Sequence, residues 1–488
     1  MGFMVRTLPA GTNLTEELTV QALERAVPQA QIQAVATAYR RPGQRRRKLP
    51  LEVLLLVSIL MNLYTEEALE RVLGKLYRGV RLLGPQPAVR LAGRSALAQG
   101  RARLGVRPVV ALFHRVCRPL ATPPTPGAFL FGLRVLGVDG TVEAVPDTPA
   151  NARAFGRLRS HRGQSAFPQV KGVYLVECGT HAVLDAGFWP CHTSERVGGL
   201  RLLRAVGAGM LLLWDCGFHS FEMAVRTRAR QAHFLSRVPS RVKLVPHTGL
   251  SDGSYWAWLS PSDRAQRRAG KRLRVRVLVY TLTDPARPGY GKTHRLITSL
   301  LDPQVYPAHD LIVAYHERWE VELTIDEIDT HQRLVRHPLR SQQPVGVLQE
   351  LYGLLIAHYA VRTVIHDAAR RAQVDPDRIS FVRAVSLLKD AIYDFQLVIP
   401  RHHPRLYRRL LADLTQHLLP PRAPRTNPRV VKRKMSNFKL KRPAQRGLPP
   451  LHYAFAETVQ ILTVPVPPNP ADGPDPAPDT QLLLTSLI

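Results

Sequence analysis

Apolar residues at helical spacing characterise the first part of the chain. In Glu16–Val27 and Leu51–Tyr64, apolar side chains recur every three or four residues, and few strand-like alternations interrupt them. A proline-containing stretch, Ala121–Gly127, follows and has the composition of a linker. The pattern therefore predicts a helical N-terminal domain that ends before this linker.

From Phe129 onwards the pattern is typical of strands. Short apolar runs bounded by turn residues predict strands at Leu133–Val138, Val170–Glu177, Ala182–Ala186 and Met210–Trp214. A helix is predicted over Ser194–Val206, so the order of elements indicates the α/β class. Asp139 and Asp215 directly follow the first and last of these runs. The carboxyl ends of strands are where open α/β sheets place their functional sites.

A second group of strands and three helices are predicted after residue 230. The strands are His233–Leu235, Val242–Val245, Ser254–Leu259, Val275–Leu282 and Leu296–Leu301. Helical spacing returns at Asp310–Gln332, Val345–Ala369 and Phe381–Tyr393. Near the C-terminus, Pro465–Pro478 is rich in proline and acidic residues, which predicts disorder.

These changes of pattern predict six regions. They are a helical N-terminal domain (1–120), the first part of an α/β core (127–230), a β-rich insertion (231–295), the last part of the core (296–372), a helical and basic C-terminal region (373–463) and a disordered tail (464–488).

The charge of the chain narrows the class of partner. The 488 residues include 68 Lys and Arg against 37 Asp and Glu, a net charge of +31. Such an excess favours nucleic acid or an anionic membrane as partner. No apolar run reaches the length of a membrane span, and no signal-peptide pattern is present at the N-terminus. We therefore expect a protein that binds a polyanion and does not span a membrane.

Two segments concentrate this charge. Arg40–Lys48 includes Arg45, Arg46, Arg47 and Lys48, and Arg422–Arg446 interleaves Phe438 with basic residues. Both segments are candidate phosphate contacts, although a solvated loop and a solvated tail explain the same composition. The four cysteines form no CxxC pair, which indicates reduced thiols in a cytosolic protein.

The helical pattern of Asp310–Gln332 carries a third candidate acid, Glu322. On a continuous helix, Tyr315, Arg318 and Glu322 fall within about 60° of one another and form one stripe. An i,i+4 salt bridge on a surface helix would explain the Arg318–Glu322 pair equally well in isolation. Together with Asp139 and Asp215, however, Glu322 completes a set of three carboxylates that can hold two Mg²⁺ ions, with Mn²⁺ as a substitute.

These motifs resemble those of bacterial DDE transposases of the insertion sequence 4 family. The resemblance rests on Tyr315-x2-Arg318-x3-Glu322, on Val138-Asp-Gly-Thr141 and on Asp215-Cys-Gly-Phe218, and it extends to about residue 370. It implies a ribonuclease H-like catalytic core with a β-rich insertion between Asp215 and Glu322. It also implies metal-dependent cleavage at the element ends, with strand transfer into target DNA.

Further expectations follow from this resemblance. The partners would be double-stranded DNA, both as terminal inverted repeats and as target, and the protein would be a dimer in its DNA complex. Cleavage through a DNA hairpin would require an aromatic side chain that stacks a flipped base, and Trp256 and Trp258 are candidates. Packing within a strand is the alternative role of both tryptophans. Tyr315 and Arg318 would contact DNA phosphates near the scissile bond.

One position departs from the family motif. The motif continues x6-Lys after its Glu, whereas this chain has Asp329. An anion at that position would repel DNA phosphate, so we expect Asp329 to pair with a cation, most simply Arg333, or to lie outside the DNA path. A catalytically inactive DNA-binding descendant of a transposase and another ribonuclease H-like nuclease remain the alternative functions.

Overall fold

The computed structural model describes the protein over residues 3–5, 21–40, 49–83, 91–160, 163–287, 289–333, 338–420, 431–432, 439–440 and 453–466. The chain forms two compact units. Unit 1 comprises Met1–Ala128, Asp139–Ser194 and Glu320–Leu419. Unit 2 comprises Phe129–Val138, Glu195–Trp319 and Pro420–Ile488.

The described residues form mixed helices and strands. The α-helices are α1 (Gln29–Tyr39), α2 (Leu51–Leu60), α3 (Leu69–Leu83), α4 (Arg94–Leu104), α5 (Arg107–Val116), α6 (Pro149–Phe155), α7 (Glu195–Leu202), α8 (Phe221–Ala229), α9 (Arg264–Arg268), α10 (Ala308–His316), α11 (Trp319–Asp326), α12 (Pro344–Ala372), α13 (Phe381–Leu397) and α14 (His403–Thr415). The strands are β1 (Phe129–Leu130), β2 (Leu133–Ala144), β3 (Arg159–Ser160), β4 (Gly163–Gln164), β5 (Gln169–Glu177), β6 (Ala182–Pro190), β7 (Met210–Trp214), β8 (His233–Arg237), β9 (Thr248–Gly249), β10 (Tyr255–Leu259), β11 (Leu273–Leu282), β12 (His294–Thr298), β13 (Val431–Lys432), β14 (Lys439–Leu440) and β15 (Val459–Ile461).

Helix α12 forms the centre of unit 1. Most of its residues from Val347 to Ala369 are buried, and it packs against α2, α5, α13, α14 and β6. Gly353 permits the close approach to α2, because a Cβ atom there would lie 2.0 Å from the carbonyl oxygen of Ser58. Asn62 strengthens the same contact by donating a hydrogen bond of 3.2 Å to the carbonyl of Glu350. The helical N-terminal region and the C-terminal helices of unit 1 therefore share one core.

The strands of unit 2 form a mixed sheet. The first part of β2 pairs in parallel with β7, and β7 pairs in parallel with β8. The sheet continues antiparallel through β12, β11, β10 and β9, and β15 pairs with β11. Leu211–Trp214 are fully buried, as expected for a parallel strand that is covered on both faces. In unit 1, β5 pairs antiparallel with β6.

Several predicted elements are wrong in detail. The described part of Glu16–Val27 forms only a 3-10 turn at Gln21–Leu23, and the first α-helix begins at Gln29. Strand β2 continues to Ala144, so Asp139 lies inside a strand and not at its end. After Gly140, polar and apolar side chains alternate at Thr141, Val142 and Glu143. This pattern suits a half-buried strand and explains the extension. No strand forms at Val242–Val245, where proline residues flank the segment on both sides.

The predicted helix Asp310–Gln332 is also not continuous. Helix α10 ends at His316, α11 begins at Trp319, and Glu327–Gln332 forms a π-helical turn. The single helical wheel for Tyr315, Glu322 and Asp329 is therefore not valid across this segment. π-helical turns inside helices occur frequently at functional sites.

Several predictions fall on residues that the structure does not describe. They include Arg45, Arg46, Arg47 and Lys48, nearly all of Arg422–Arg446 and almost the whole acidic, proline-rich tail. All four cysteines are described and are free thiols, as predicted. Among the described residues, no helix is both long and apolar enough to cross a membrane.

Candidate active site

Asp215 lies where the sequence places it, directly after the last residue of β7. Its Oδ1 atom accepts a hydrogen bond of 2.8 Å from the backbone N–H of Gly217, which orients the carboxylate. A side chain at Gly217 would crowd this arrangement, because its Cβ would lie 3.0 Å from Asp215 Oδ1 and 3.2 Å from Glu195 Oε2. The turn after β7 thus holds a half-buried carboxylate in a fixed orientation.

Basic side chains surround this turn in unit 2. Burial raises the pKa of the Cys216 thiol, and Arg237, Arg241 and Arg318 act in the opposite direction through their positive charge. Arg237 and Arg241 are exposed, and Arg318 is half-buried. A group of cations of this kind is suited to binding phosphate groups. Of these arginines, Arg318 was predicted from its motif, whereas Arg237 was missed.

Tyr315 contacts the same strand end through its hydroxyl group, which donates a 3.3 Å hydrogen bond to the carbonyl of Trp214. Burial raises the pKa of Tyr315, so the hydroxyl keeps its proton. The side chain therefore fastens α10 to the residue that precedes Asp215.

Asp139 and Glu322 belong to unit 1, and both are half-buried. The Oδ1 atom of Asp139 accepts a hydrogen bond of 2.8 Å from the backbone N–H of Gly140. Glu322 lies in the first turn of α11, where the positive end of the helix dipole stabilises a carboxylate.

Asp329 lies in an acidic cluster of unit 1 that sequence analysis missed. It accepts a hydrogen bond of 3.3 Å from the Thr141 hydroxyl, while Arg333 forms an ion pair with Glu143. Burial and the neighbouring Glu143 raise the pKa of Asp329 well above its usual range, and Arg333 opposes this change. The sequence does contain a signal for this cluster, because Asp139, Thr141 and Glu143 alternate along one face of a strand.

A buried ion pair lies further along the same chain segment. Glu327, at the start of the π-helical turn, pairs with Arg362 of α12 and also contacts His181 and His358. Burial raises the pKa of Glu327, but Arg362 and the two histidines outweigh this effect and hold the pKa well below its usual range. This ion pair was not predicted, because its members are far apart in the sequence.

The tryptophans considered for base stacking are half-buried and lie on β10. The guanidinium carbon of Arg274 is 4.9 Å from the ring centre of Trp256, and that of Arg272 is 4.2 Å from the ring centre of Trp258. The indole N–H of Trp256 also donates a hydrogen bond of 3.2 Å to the carbonyl of Leu301. In this conformation both rings already contact an arginine.

Two family models match the chain. One is described as Transposase DDE domain and matches residues 130–360, which include Asp139, Asp215 and Glu322. The other is described as Insertion element 4 transposase N-terminal and matches residues 17–114.

Two transposases and one solved structure are similar to the chain. The transposase InsG for insertion sequence element IS4 of Escherichia coli (strain K12) is 31% identical over 395 residues, which are 80% of this chain and 86% of that protein. The putative transposase InsZ of the same organism is 28% identical over 139 residues, 28% of this chain and 46% of that protein. A cryo-EM structure of the piggyBac transposase synaptic complex with hairpin DNA has a TM-score of 0.38 and 14% identity, and the match covers 85% of this chain and 86% of that one.

The family matches confirm the predicted class. The mixed helices and strands and the helical N-terminal region fit a DDE transposase with a ribonuclease H-like core. The chain therefore belongs to the IS4 family of DDE transposases, the enzymes that move insertion sequences.

Proposed function

We propose that this transposase uses Asp139, Asp215 and Glu322 as catalytic carboxylates to cleave DNA at the ends of its element and to join those ends to target DNA. The observation that carries this proposal is the DDE domain match, which spans all three acids. Two of the carboxylates are held by backbone N–H groups, at Gly140 and Gly217. All three side chains are half-buried, which keeps them accessible to a substrate.

The cofactor we propose is Mg²⁺, with Mn²⁺ as a substitute. DDE transposases depend on divalent metal ions, and three carboxylates provide the hard oxygen donors that Mg²⁺ prefers. Asp139, Asp215 and Glu322 would hold the ions. When bound, such ions activate a water or hydroxyl for attack on a phosphodiester and stabilise the leaving oxygen.

Other residues of the chain would bind and orient the DNA. In unit 2, Arg318, Arg237 and Arg241 supply positive charge close to Asp215 and would bind phosphates. Tyr315 keeps α10 fastened to the end of β7, and its place in the family motif makes it a candidate DNA contact as well. Arg45, Arg46, Arg47 and Lys48 would add phosphate contacts from the N-terminal region.

Cleavage through a DNA hairpin is the finer part of this proposal. A hairpin requires one nucleotide to leave the base stack, and an aromatic ring stabilises the unstacked base. Trp256 and Trp258 are the candidates in the insertion. Because each contacts an arginine, stacking a base would require Arg274 or Arg272 to move aside.

The assembly and the domain division are proposals too. We propose a dimer on paired inverted repeats, acting in the bacterial cytoplasm on nucleoid DNA. We also propose the division into a DNA-binding domain (1–120), a catalytic core (127–230 and 296–372), a β-rich insertion (231–295), a basic C-terminal region (373–463) and a disordered tail (464–488).

Cleavage of defined DNA ends tests the proposal. The full chain is incubated with Mg²⁺ and duplexes that carry the inverted repeats flanking its coding DNA, and the strands are separated on denaturing gels. We expect nicks at the repeat ends, and a strand of about double length where a hairpin forms. The Glu322→Gln variant should bind the same DNA without cutting it, whereas Glu222→Gln, on the surface of α8, should cut normally.

The alternative functions give different results. An inactive DNA-binding descendant would bind the repeats and leave them intact with either Mg²⁺ or Mn²⁺. A nuclease of another kind would cut DNA without regard to the repeats. Cleavage that survives in Glu322→Gln would overturn the assignment of the catalytic carboxylates.

A further inference from the structure

A second group of metal-ligand side chains lies inside unit 1. It consists of His181 in the turn between β5 and β6, Glu320 in the first turn of α11, and Asp377 in a short 3-10 helix. Their nearest ligand atoms all lie within 4.8 Å of one another. His181 is 1% exposed and Glu320 is 6% exposed, so this is a buried cluster and not a patch of surface acids.

The orientation of His181 points to a ligand. Its Nδ1 atom lies 3.0 Å from Oε1 of Glu327, whereas its Nε2 atom is directed between Asp377 Oδ1 at 3.6 Å and Glu320 Oε2 at 4.0 Å. Among the described residues, this buried Nε2 atom has no hydrogen-bond partner. A buried ring nitrogen aimed at two carboxylates requires either a proton or a metal ion between them.

Two contacts of Nδ1 bear on whether a proton or a metal ion lies beside Nε2. Nδ1 lies against Glu327, which is ionised because it pairs with Arg362, and donation from Nδ1–H to this carboxylate leaves the lone pair on Nε2, the common orientation of a metal-binding histidine. Arg362 also contacts Nδ1, and a hydrogen bond donated by its guanidinium leaves the proton on Nε2 instead. The contact with Glu327 supports the tautomer that offers Nε2 to a cation, and metal analysis distinguishes the two.

The spacing of the donor atoms agrees with this interpretation. Two ligands of one tetrahedral Zn²⁺, each about 2.0–2.1 Å from the ion, lie about 3.3 Å apart. The separation of 3.6 Å between His181 Nε2 and Asp377 Oδ1 is close to this value, whereas the 4.0 Å to Glu320 Oε2 has to shorten when an ion binds. Both exceed the usual length of a hydrogen bond. The two carboxylates and a neutral imidazole carry two negative charges, which one divalent ion balances.

The cluster is separate from the catalytic carboxylates. Glu320 and Glu322 are two residues apart on α11, so their side chains leave the helix about 200° apart. Gly179, in the β5–β6 turn, donates its backbone N–H to Glu320 and fixes the carboxylate on the side of His181. An ion here would fasten the start of α11 to that turn and to Asp377.

We propose that His181, Glu320 and Asp377 bind one structural divalent ion of the Zn²⁺ type, which holds in place the helix that carries Glu322. Imidazole nitrogen suits Zn²⁺, whereas Mg²⁺ selects oxygen ligands alone, so the ion differs in kind from the catalytic one. The family's catalytic motif does not include these three residues.

Metal analysis of the full chain tests this proposal without relying on activity. The starting protein is the triple variant Asp139→Ala/Asp215→Ala/Glu322→Ala, which lacks the catalytic ligands. It is loaded with Zn²⁺, washed with a weak chelator and analysed by mass spectrometry for metal. We expect about one equivalent of Zn²⁺ per chain and a higher Tm than for the metal-free protein.

A matched pair of histidine variants identifies the ligand. In the same background, His181→Gln should lose the retained Zn²⁺, whereas His358→Gln, which removes the other histidine on Glu327, should keep it. Asp377→Asn provides a milder change if His181→Gln fails to fold, and circular dichroism monitors folding in each case. Co²⁺ in place of Zn²⁺ should give visible absorption bands that disappear with either His181 or Asp377 substituted.

Two outcomes would overturn the proposal. One is the absence of retained Zn²⁺ and of any Tm change in the triple variant, which would make the cluster an ion pair of protonated His181. The other is equal Zn²⁺ retention after substitution of His181 or Asp377. Neither measurement depends on DNA cleavage, so failure of the proposed catalytic function would leave the result unaffected.

Discussion

The acids of the two units lie in different electrostatic surroundings. The turn that holds Asp215, in unit 2, has the cations Arg237, Arg241 and Arg318 close to Cys216, together with one further carboxylate, Glu195. In unit 1, Asp329 has another carboxylate, Glu143, as its neighbour, and its pKa is raised for that reason and by burial. The comparison indicates that the same type of residue can lie among exposed cations in one place and beside a buried carboxylate in another.

The two units also differ in whether the arginines near their acids are exposed to solvent or paired inside the fold. The exposed arginines near Asp215 can exchange solvent for DNA phosphate. In unit 1, Arg362 is buried and Arg333 is half-buried, and they already form ion pairs with Glu327 and Glu143 respectively. We propose that the positive charge near Asp215 serves DNA binding, although Arg237 also contacts His294, whereas the positive charge near Glu327 serves the fold.

The largest expected effect is on the rate of end cleavage, which should distinguish Asp215 from Asp329. Asp215→Asn should reduce the rate of end cleavage about a thousand-fold or more, because a metal-binding carboxylate supplies several kcal/mol of transition-state stabilisation. Asp329→Asn should leave the rate within a few-fold, because the amide still accepts the Thr141 hydrogen bond. Initial cleavage rates and DNA affinity check both. Loss of cleavage with unchanged affinity in Asp329→Asn would show that Asp329 belongs to the metal site.

The buried ion pair of unit 1 gives the next largest effect. Arg362→Met leaves Glu327 buried without its main counter-charge, which should lower the free energy of unfolding by about 3–5 kcal/mol. Arg226→Met removes the exposed i,i+4 pair with Glu222 in unit 2 and should cost about 0.3–0.5 kcal/mol. Urea unfolding measures both. Equal losses in the two variants would contradict the distinction between internal and exposed pairs.

Removing the cations near Asp215 should weaken DNA binding by a smaller factor. Each phosphate contact contributes roughly −0.9 to the slope of log K against log salt. The double variant Arg237→Gln/Arg241→Gln should therefore show a slope that is shallower by up to about 1.8, with lower affinity at low salt. Fluorescence anisotropy across salt concentrations measures this slope, with Arg226→Gln as control. An unchanged slope would mean that neither arginine contacts phosphate.

The pH dependence of stability should differ between Glu327 and Asp329, and this is the smallest effect. The pKa of Glu327 is lowered on folding, so its stabilisation is present above its unfolded pKa and is lost as pH falls through the folded value. The pKa of Asp329 is raised, so ionisation at neutral pH destabilises the fold.

The variant Asp329→Asn tests whether ionised Asp329 destabilises the fold at neutral pH. The variant should be more stable than the parent protein at neutral pH, and the difference should shrink as the pH falls towards the unfolded pKa of Asp329. Urea unfolding at several pH values measures the difference. Asp329→Lys restores the family's cation beside Glu143, and we expect a mild effect on DNA binding or an improvement.

Local sequence determined the bounds of a strand that is buried along almost its whole length. Met210–Trp214 was predicted with its correct bounds, because a short apolar run before Asp-Cys-Gly can form only a buried strand and a turn. Strand β2 extends past Asp139, and the helix around Arg318 is interrupted, because contacts with distant residues override local pattern at half-buried positions.

The sequence by itself determined the family, the reaction class and the three carboxylates proposed to carry it, because motif spacing and net charge are properties of the chain. Only the tertiary structure decided which charges neighbour one another. Glu327 meets Arg362 and His181, and Asp329 meets Thr141 and Glu143, across 35 to 188 positions of sequence. The physical reason is that a buried charge is costly unless it is paired, whereas the packing of helices and strands determines which residue lies close enough to pair with it.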